Sequence, residues 1–332
     1  MADTRRNDVL GLNELKLYDC LLKQYIDNVK ARVSSNQIDE LFNSIPSFAS
    51  ATDQQIADII NGYYNGTYSL EDIQKSWHLG DTRDISLSAI GTSGNGWTDL
   101  ESHRAQTVTI QIIDFEHDDL TTSINGKTKA LITVDLKNCL RDATVGDFEG
   151  QNNTEVGIMQ FNLYDSDNNY LQRSWKLCDR RAWCNDGFYN ALPSYIRSLV
   201  KLVDKKTYSG NPGWANQNLP APTLEITSDK VFILSENEFQ CGVANSTRIN
   251  MQTEGFPYKF YDDNMDYMDT YQHRPDNVQS KLPAYANDYE PDKPYTAPIW
   301  FRSPGRGVGF FCYFTGTASS TSWYPFAPAF CL

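Results

Sequence analysis

The 332-residue chain contains no CxxC pair and no cysteine pattern that would hold zinc. Its seven cysteines, Cys20, Cys139, Cys178, Cys184, Cys241, Cys312 and Cys331, are odd in number and scattered. The four histidines, His78, His103, His117 and His273, have no partner residues at recognisable spacing. A zinc site needs four such ligands at short, repeated spacings, so none is expected. The cysteines then read as reduced, buried thiols acting as small hydrophobes. Basic charge is also scarce. Lys and Arg number 29 against 42 Asp and Glu, a net charge of −13, with no basic cluster. A polyanion would be repelled, so no nucleic-acid partner is expected. No run approaches the roughly 20 apolar residues of a membrane-spanning helix. The first eight residues, Met1 to Asp8, are polar and no apolar stretch follows, so the expectation is a chain without a secretory leader, made in the cytoplasm.

Enzyme signatures are equally absent. The sequence has no GxSxG, P-loop, HExxH or GxGxxG after a strand. Gly91-Thr92-Ser93-Gly94-Asn95-Gly96 lacks the lysine and the following helix of a phosphate loop, and reads as a turn. Asp165, Asp167 and Asn169 open like an EF-hand loop, but Tyr170 stands where glycine is required and Lys176 where the bidentate glutamate belongs. No catalytic residue is assigned.

What is present is a globular composition, 40% hydrophobic and 21% charged, which argues against disorder. Aromatics reach 13%, with 19 Tyr and 7 Trp, and such rings serve both β cores and recognition surfaces. Residues 10–33 read as a helix. Leu15, Tyr18, Leu22, Tyr25 and Val29 recur at alternating spacings of three and four, a heptad seam. A polar stretch follows, so the seam has little of its own chain to cover it, and a homotrimer through this helix is expected. Thr52-Asp53-Gln54-Gln55 forms a capping box that opens a helix ending near Asn65-Gly66. A shorter helix is read from Ser69 to Ser76.

From Trp77 the texture becomes β. Thr107–Ile113 alternates as a half-buried strand, Ala130–Val134 is a second, and Met159–Tyr164 runs into a turn cluster at residues 165–169. One helix interrupts, begun by Pro193, with Ile196, Leu199, Val200 and Val203 as its apolar face. Val231–Leu234 is a buried strand, and Ser235–Glu238 a second capping box opening a short helix. Residues 254–295 lack periodicity and carry seven tyrosines, which suggests a long structured loop. Residues 299–332 alternate aromatic strands with glycine turns. The fold class is therefore α+β: an N-terminal oligomerisation and anchoring helix (1–46), a helical connector (47–76) and a large β-rich display domain (77–332).

Several fragments, in order, resemble a large uncharacterised domain family carried by phages, prophages and gut-bacterial proteins. They are Trp77-His78-Leu79-Gly80-Asp81, Trp175…Arg181-Ala182-Trp183-Cys184-Asn185…Phe188-Tyr189…Leu192-Pro193, Phe232–Glu236, Trp300-Phe301-Arg302-Ser303-Pro304 and Pro328–Leu332. The closing pattern is similar to C-type-lectin-like domains of the formylglycine-generating-enzyme type, which implies irregular loops as a binding face. Cys312 and Cys331 do not match an active-site cysteine arrangement of that type. The opening Gly11–Asp19 and Lys23–Ile26 resemble phage head and tail fibre proteins. The resemblance implies a phage virion surface protein (tail fibre, baseplate or head fibre component) that assembles with other virion proteins through its N-terminal segment. A ligand-free decoration protein is the alternative, and an enzyme of lectin-like fold a further one. Trp300, Trp183 and Phe330 are expected in the core, and Arg302 is expected to satisfy buried carbonyls. A host-surface glycan or protein would be met by Trp214, Tyr267, Tyr271, Tyr285 and Trp323. Asp262, Asp263, Asp266 and Asp269 either hold a Ca²⁺ ion or keep the loop solvated; no other cofactor is expected.

Overall fold

The computed structural model describes residues 18–25, 45–95, 102–137, 140, 143–144, 158–159, 174–209, 223–235, 237–239, 254–262, 300–304, 310–313, 316–319, 324–325 and 327–332. The chain divides into two compact units, Met1–Pro46 and Ser47–Leu332. In the first unit residues 18–25 are helical, and every one of them is exposed. Of the heptad seam, Tyr18, Leu22 and Tyr25 lie on this helix; Leu15 and Val29 fall outside the described residues.

The second unit opens as its capping signals direct. Gln55 N–H donates to Thr52 Oγ1 at 3.2 Å, and Thr52 N–H to Gln55 Oε1 at 2.8 Å. Two of the first turn's free donors are thereby satisfied, and the helix Asp53–Asn65 follows. Its inner face, Ile56, Ile59, Ile60, Tyr63 and Tyr64, is buried. Ser69 and Asp72 form the same reciprocal cap on the next helix, Leu70–Gln74. Both helices belong to the compact unit. Tyr64 Oη donates to the Leu332 carbonyl and accepts from Leu131 N–H, and Phe48 meets Trp77 edge to face with ring centres 5.1 Å apart.

Among the described residues sixteen strands follow in chain order: β1 Thr82–Leu87, β2 Ser102–His103, β3 Gln106–Phe115, β4 Asp119–Ile124, β5 Lys127–Lys129, β6 Ile132–Leu136, β7 Ala143–Thr144, β8 Ile158–Met159, β9 Val203–Tyr208, β10 Leu224–Asp229, β11 Val231–Phe232, β12 Trp300–Pro304, β13 Phe310–Tyr313, β14 Gly316–Ser319, β15 Tyr324–Pro325 and β16 Ala329–Cys331. They make a five-stranded sheet β1-β3-β6-β16-β11 and a four-stranded sheet β10-β9-β4-β5, with a three-stranded and two two-stranded sheets beside them. All the described pairings are antiparallel. The molecule is thus α+β and rich in β structure.

The sequence reading and the structure part at several elements. β3 is half-buried only at its start; from Ile110 to Phe115 every residue is buried. The reason is a cover on its second face, the helix Lys259–Asp262, whose Lys259 N–H donates to Asp114 Oδ2. Val203 does not extend the helix after Pro193. That helix is Ser194–Leu199; Val200 is extended, Lys201 N–H pairs with the Cys331 carbonyl, and Val203 begins β9. β pairing here overrides helical periodicity. The stretch after residue 254 carries a helical turn at Lys259–Asp262. Of the Met159–Tyr164 strand and its turn, only Met159 lies among the described residues.

Gly80 explains part of the Trp77–Asp81 motif. At φ +87° it occupies left-handed backbone, and a Cβ there would stand 3.1 Å from Phe260. Its N–H donates to the Ile112 carbonyl while Ile112 N–H donates to Asp81, so the turn is docked along β3.

Candidate functional site

Lys205 lies at the middle of β9, whose residues alternate inward and outward; Val203, Lys205 and Thr207 all face in. Strand geometry therefore drives a cation into the interior, where an unpaired charge is prohibitive. All three of its ammonium hydrogens find partners. Nζ stands 2.6 Å from Asp118 Oδ1, 2.7 Å from Glu238 Oε1 and 3.0 Å from Tyr258 Oη. Phe232 lies beneath it at 4.1 Å.

Arg302, in β12, continues the chain of charges. Its five N–H donors are all used: Nη1 and Nη2 grip Glu238 at 2.5 and 2.6 Å, Nη1 also reaches the Ile233 carbonyl, Nη2 the Glu254 carbonyl, and Nε the Thr207 hydroxyl. The expected role of Arg302, satisfying buried carbonyls, is met at Ile233 and Glu254. Glu238 itself is set by the second capping box, with Ser235 N–H on its Oε2 at 3.0 Å and its own N–H on Ser235 Oγ. The reciprocal bonds of the box form as read, but residues 237–239 make a turn in place of the expected short helix. Glu254 is fully buried and accepts from Tyr208 N–H and the Ser303 hydroxyl. Gly255, at φ +146°, permits this approach, because a Cβ there would come within 2.7 Å of the Glu238 side chain.

Asp118 closes the other end. Its Oδ2 accepts from Thr133 Oγ1 at 2.5 Å, Tyr258 Oη at 3.0 Å and Cys331 Sγ at 3.3 Å. His117 stacks on Tyr258 with ring centres 4.1 Å apart. Its Nδ1 is 3.7 Å from Asp118 Oδ1, an ion-pair distance and too long for a hydrogen bond. Asp118, Lys205, Glu238 and Arg302 are each 4% exposed or less. The chemistry open to this cluster is therefore chemistry among its own members.

Electrostatics follow the geometry. Burial opposes ionisation of Asp118, but Lys205 and His117 outweigh it and hold its carboxyl well below the usual range. Glu238 is likewise lowered, with Arg302 and Lys205 overcoming burial. Burial pulls Lys205 down, yet Asp118 and Glu238 raise it further than burial lowers it. Burial, then Asp118, push the Tyr258 hydroxyl well up, so it stays protonated as a donor. Cys331 is raised in the same way, by burial and then Asp118.

The second half of the resemblance motif builds a separate anchor. Fully buried Asp229 accepts from Trp175 Nε1 at 2.9 Å, Arg181 Nε at 2.6 Å, Thr227 Oγ1 at 2.6 Å and Asn185 Nδ2 at 3.0 Å. Asn185 also bonds the backbone of Lys230 and Val231, so the helical run from Trp175 to Ala191 is tied to the β10–β11 turn. Trp183 and Phe330 are fully buried, as expected of core residues. Cys178, Cys184 and Cys331 are buried thiols, whereas Cys20 is exposed.

The expected contact residues Trp214, Tyr267, Tyr271, Tyr285 and Trp323 lie outside the described residues, as do Asp263, Asp266 and Asp269. Asp262 is the last residue of the Lys259–Asp262 helix. Among the described residues no group of three or more His, Cys, Asp or Glu is placed to hold a metal. Within the described part of the 254–295 loop, Tyr258 and Tyr261 pack inward, their hydroxyls on Asp118 and Asp135, while Phe256 is 78% exposed. Lys205, Asp118, Glu254 and Tyr258 were not singled out from the sequence. Alternation in Val203-Asp204-Lys205-Lys206-Thr207 carries a signal for Lys205; nothing local marks the other three.

The chain belongs to the family described as Domain of unknown function (DUF6273), whose pattern matches residues 142–332, more than half of its length. No curated protein and no solved structure matches it. The matched span holds Lys205, Glu238, Arg302 and Cys331, whereas Asp118 and Thr133 precede it. Among the described residues no helix is long and apolar enough to cross a membrane.

Proposed function

We propose that this chain is a non-catalytic surface protein of a phage particle. Its N-terminal helix joins copies of the chain as a homotrimer and attaches them to other virion proteins. Its second unit is displayed for adhesion to a host-surface glycan or protein. One observation carries the reading. On the 18–25 helix, the seam residues Tyr18, Leu22 and Tyr25 are 65%, 59% and 69% exposed. Apolar side chains at heptad spacing, left in water, suit a helix that packs on a partner helix, and a second copy of the chain supplies one with the same seam. A supporting feature sits in the second unit. Phe256 is exposed, yet it is held between Glu254 and Tyr258, both fully buried. An aromatic ring presented on a pinned segment offers contact area at small entropic cost.

The test has two parts. Light scattering should give three subunits for the full chain and one for a chain lacking residues 1–46; an unchanged subunit number would refute the helix as the joint. Particles purified from a culture carrying the gene should show surface projections labelled by antibody to residues 47–332. Unlabelled particles would refute the virion assignment.

A further inference from the structure

The Asp118–Lys205–Glu238 arrangement has the parts of a condensation site. A buried primary amine touches one carboxylate at 2.6 Å and a second at 2.7 Å, with aromatic rings around it and no exposure to water beyond 4% at any of the three. We propose that Lys205 and Asp118 condense spontaneously in the folded protein to an intramolecular isopeptide bond, with Glu238 as the proton carrier.

The geometry assigns the roles. A nitrogen 2.6 Å from one carboxylate oxygen is at most one C–O bond further from the carboxyl carbon, close to the contact that effective intramolecular attack requires. Of the two carboxylates, Glu238 is the poorer electrophile, because the Arg302 guanidinium holds both of its oxygens. Its Oε1 faces Lys205 and is placed to take a proton from the amine. Asp118 Oδ2 faces away from the amine, into three neutral donors: Thr133, Tyr258 and Cys331. Donors fixed where negative charge develops stabilise a tetrahedral intermediate. Burial keeps the Tyr258 and Cys331 protons in place for that task.

The resting state is an ion pair, so the reaction starts with proton transfer. Lys205 gives one proton to Glu238, which passes it to Asp118 Oδ1, so that a neutral amine faces a neutral carboxylic acid. The nitrogen bonds to the carboxyl carbon, and the negative charge of the tetrahedral intermediate collects on Oδ2 under the three donors. A second proton then leaves the nitrogen and reaches Oδ1 through Glu238. The C–Oδ1 bond breaks, water leaves, and Oδ2 becomes the amide carbonyl oxygen. An ammonium and a carboxylate have become one amide and one water, with no oxidant or second reactant. Exclusion of bulk water from the site opposes the reverse hydrolysis.

The experiment is intact-mass measurement on the purified full chain, folded and then denatured, followed by proteolytic mapping. The expected result is a mass lower than the sequence mass by one water, and a branched peptide joining the segment with Asp118 to the segment with Lys205. Lys205→Arg should restore the sequence mass. Thr133→Val, which removes one donor to Oδ2 in a β6 position, should slow the appearance of the lighter species after synthesis. A folded chain that keeps the sequence mass overturns the proposal. So does a one-water loss without the branched peptide, since cyclisation at Asp186-Gly187 would lose the same water elsewhere.

Discussion

Arg302 sets the terms at the scale of single residues. Its guanidinium is fully buried with every donor engaged, and its main partner, Glu238, is buried with it. Arg302→Ala takes from the Glu238 carboxylate its bidentate partner and leaves it Lys205 and the Ser235 N–H, and breaking one side of such a buried pair costs about 3–5 kcal/mol. Chemical denaturation should register that loss as a lower midpoint; an unchanged midpoint would show that Arg302 is not structural. Exposed Phe256 is the opposite case, where truncation to Ala should stay within about 0.5 kcal/mol of the parent because no buried contact is lost. The sequence contained half of this contrast. Arg302 followed by Ser303-Pro304 reads as a buried donor, and Ser235–Glu238 reads as a cap. That the cap's own glutamate is the partner of Arg302, and also of a lysine in a different sheet, is a tertiary fact with no local trace.

At the scale of elements, helices were the most legible part. Thr52 with Gln55 announces a start, Asn65-Gly66 a stop, and neither depends on distant residues. Strands were legible where one face is covered, as at the start of β3, and misread where a remote segment covers the second face. The helix Lys259–Asp262 does this to Ile110–Phe115 from well over a hundred residues away, beyond the reach of periodicity. Val203 was misread for the same reason, since its pairing lies in β4 and β10. The five-stranded sheet yields a prediction of its own. β1, β3 and β6 precede residue 142, whereas β11 and β16 lie in the span matched by the family. A fragment of residues 142–332 should therefore lack cooperative unfolding and near-ultraviolet dichroism, and residues 47–332 should show both. A cooperative 142–332 fragment would mean that the matched span completes its sheet without β1, β3 and β6.

For the whole molecule, the buried charges fix how stability depends on pH. Glu238 is held below its ordinary value by Arg302 and Lys205. Its contribution is therefore complete above the unfolded value of about 4.3 and declines as pH falls through the lower, folded value. Asp118 adds to this acid limb while it remains an ion pair; once its carboxyl is an amide it drops out, and Glu238 keeps Arg302 as its cationic partner. Melting temperature measured from pH 6 downward should be flat at first and fall below about pH 4; Glu238→Gln should lower the plateau and flatten the limb. A parent protein with no acid limb would contradict the paired-carboxylate account. One feature of the sheet also governs how the molecule comes into being. β16 sits between β6 and β11, and Thr133 meets Cys331 across 198 residues of chain. While the ribosome is still making the intervening polypeptide, β6 has an open hydrogen-bonding edge and β11 has no neighbour in its sheet. Contacts this remote close slowly and leave strand edges exposed in the meantime. The nascent chain must wait for residues 329–331 before the centre of this sheet exists, and until then its edges are open to pairing with other chains.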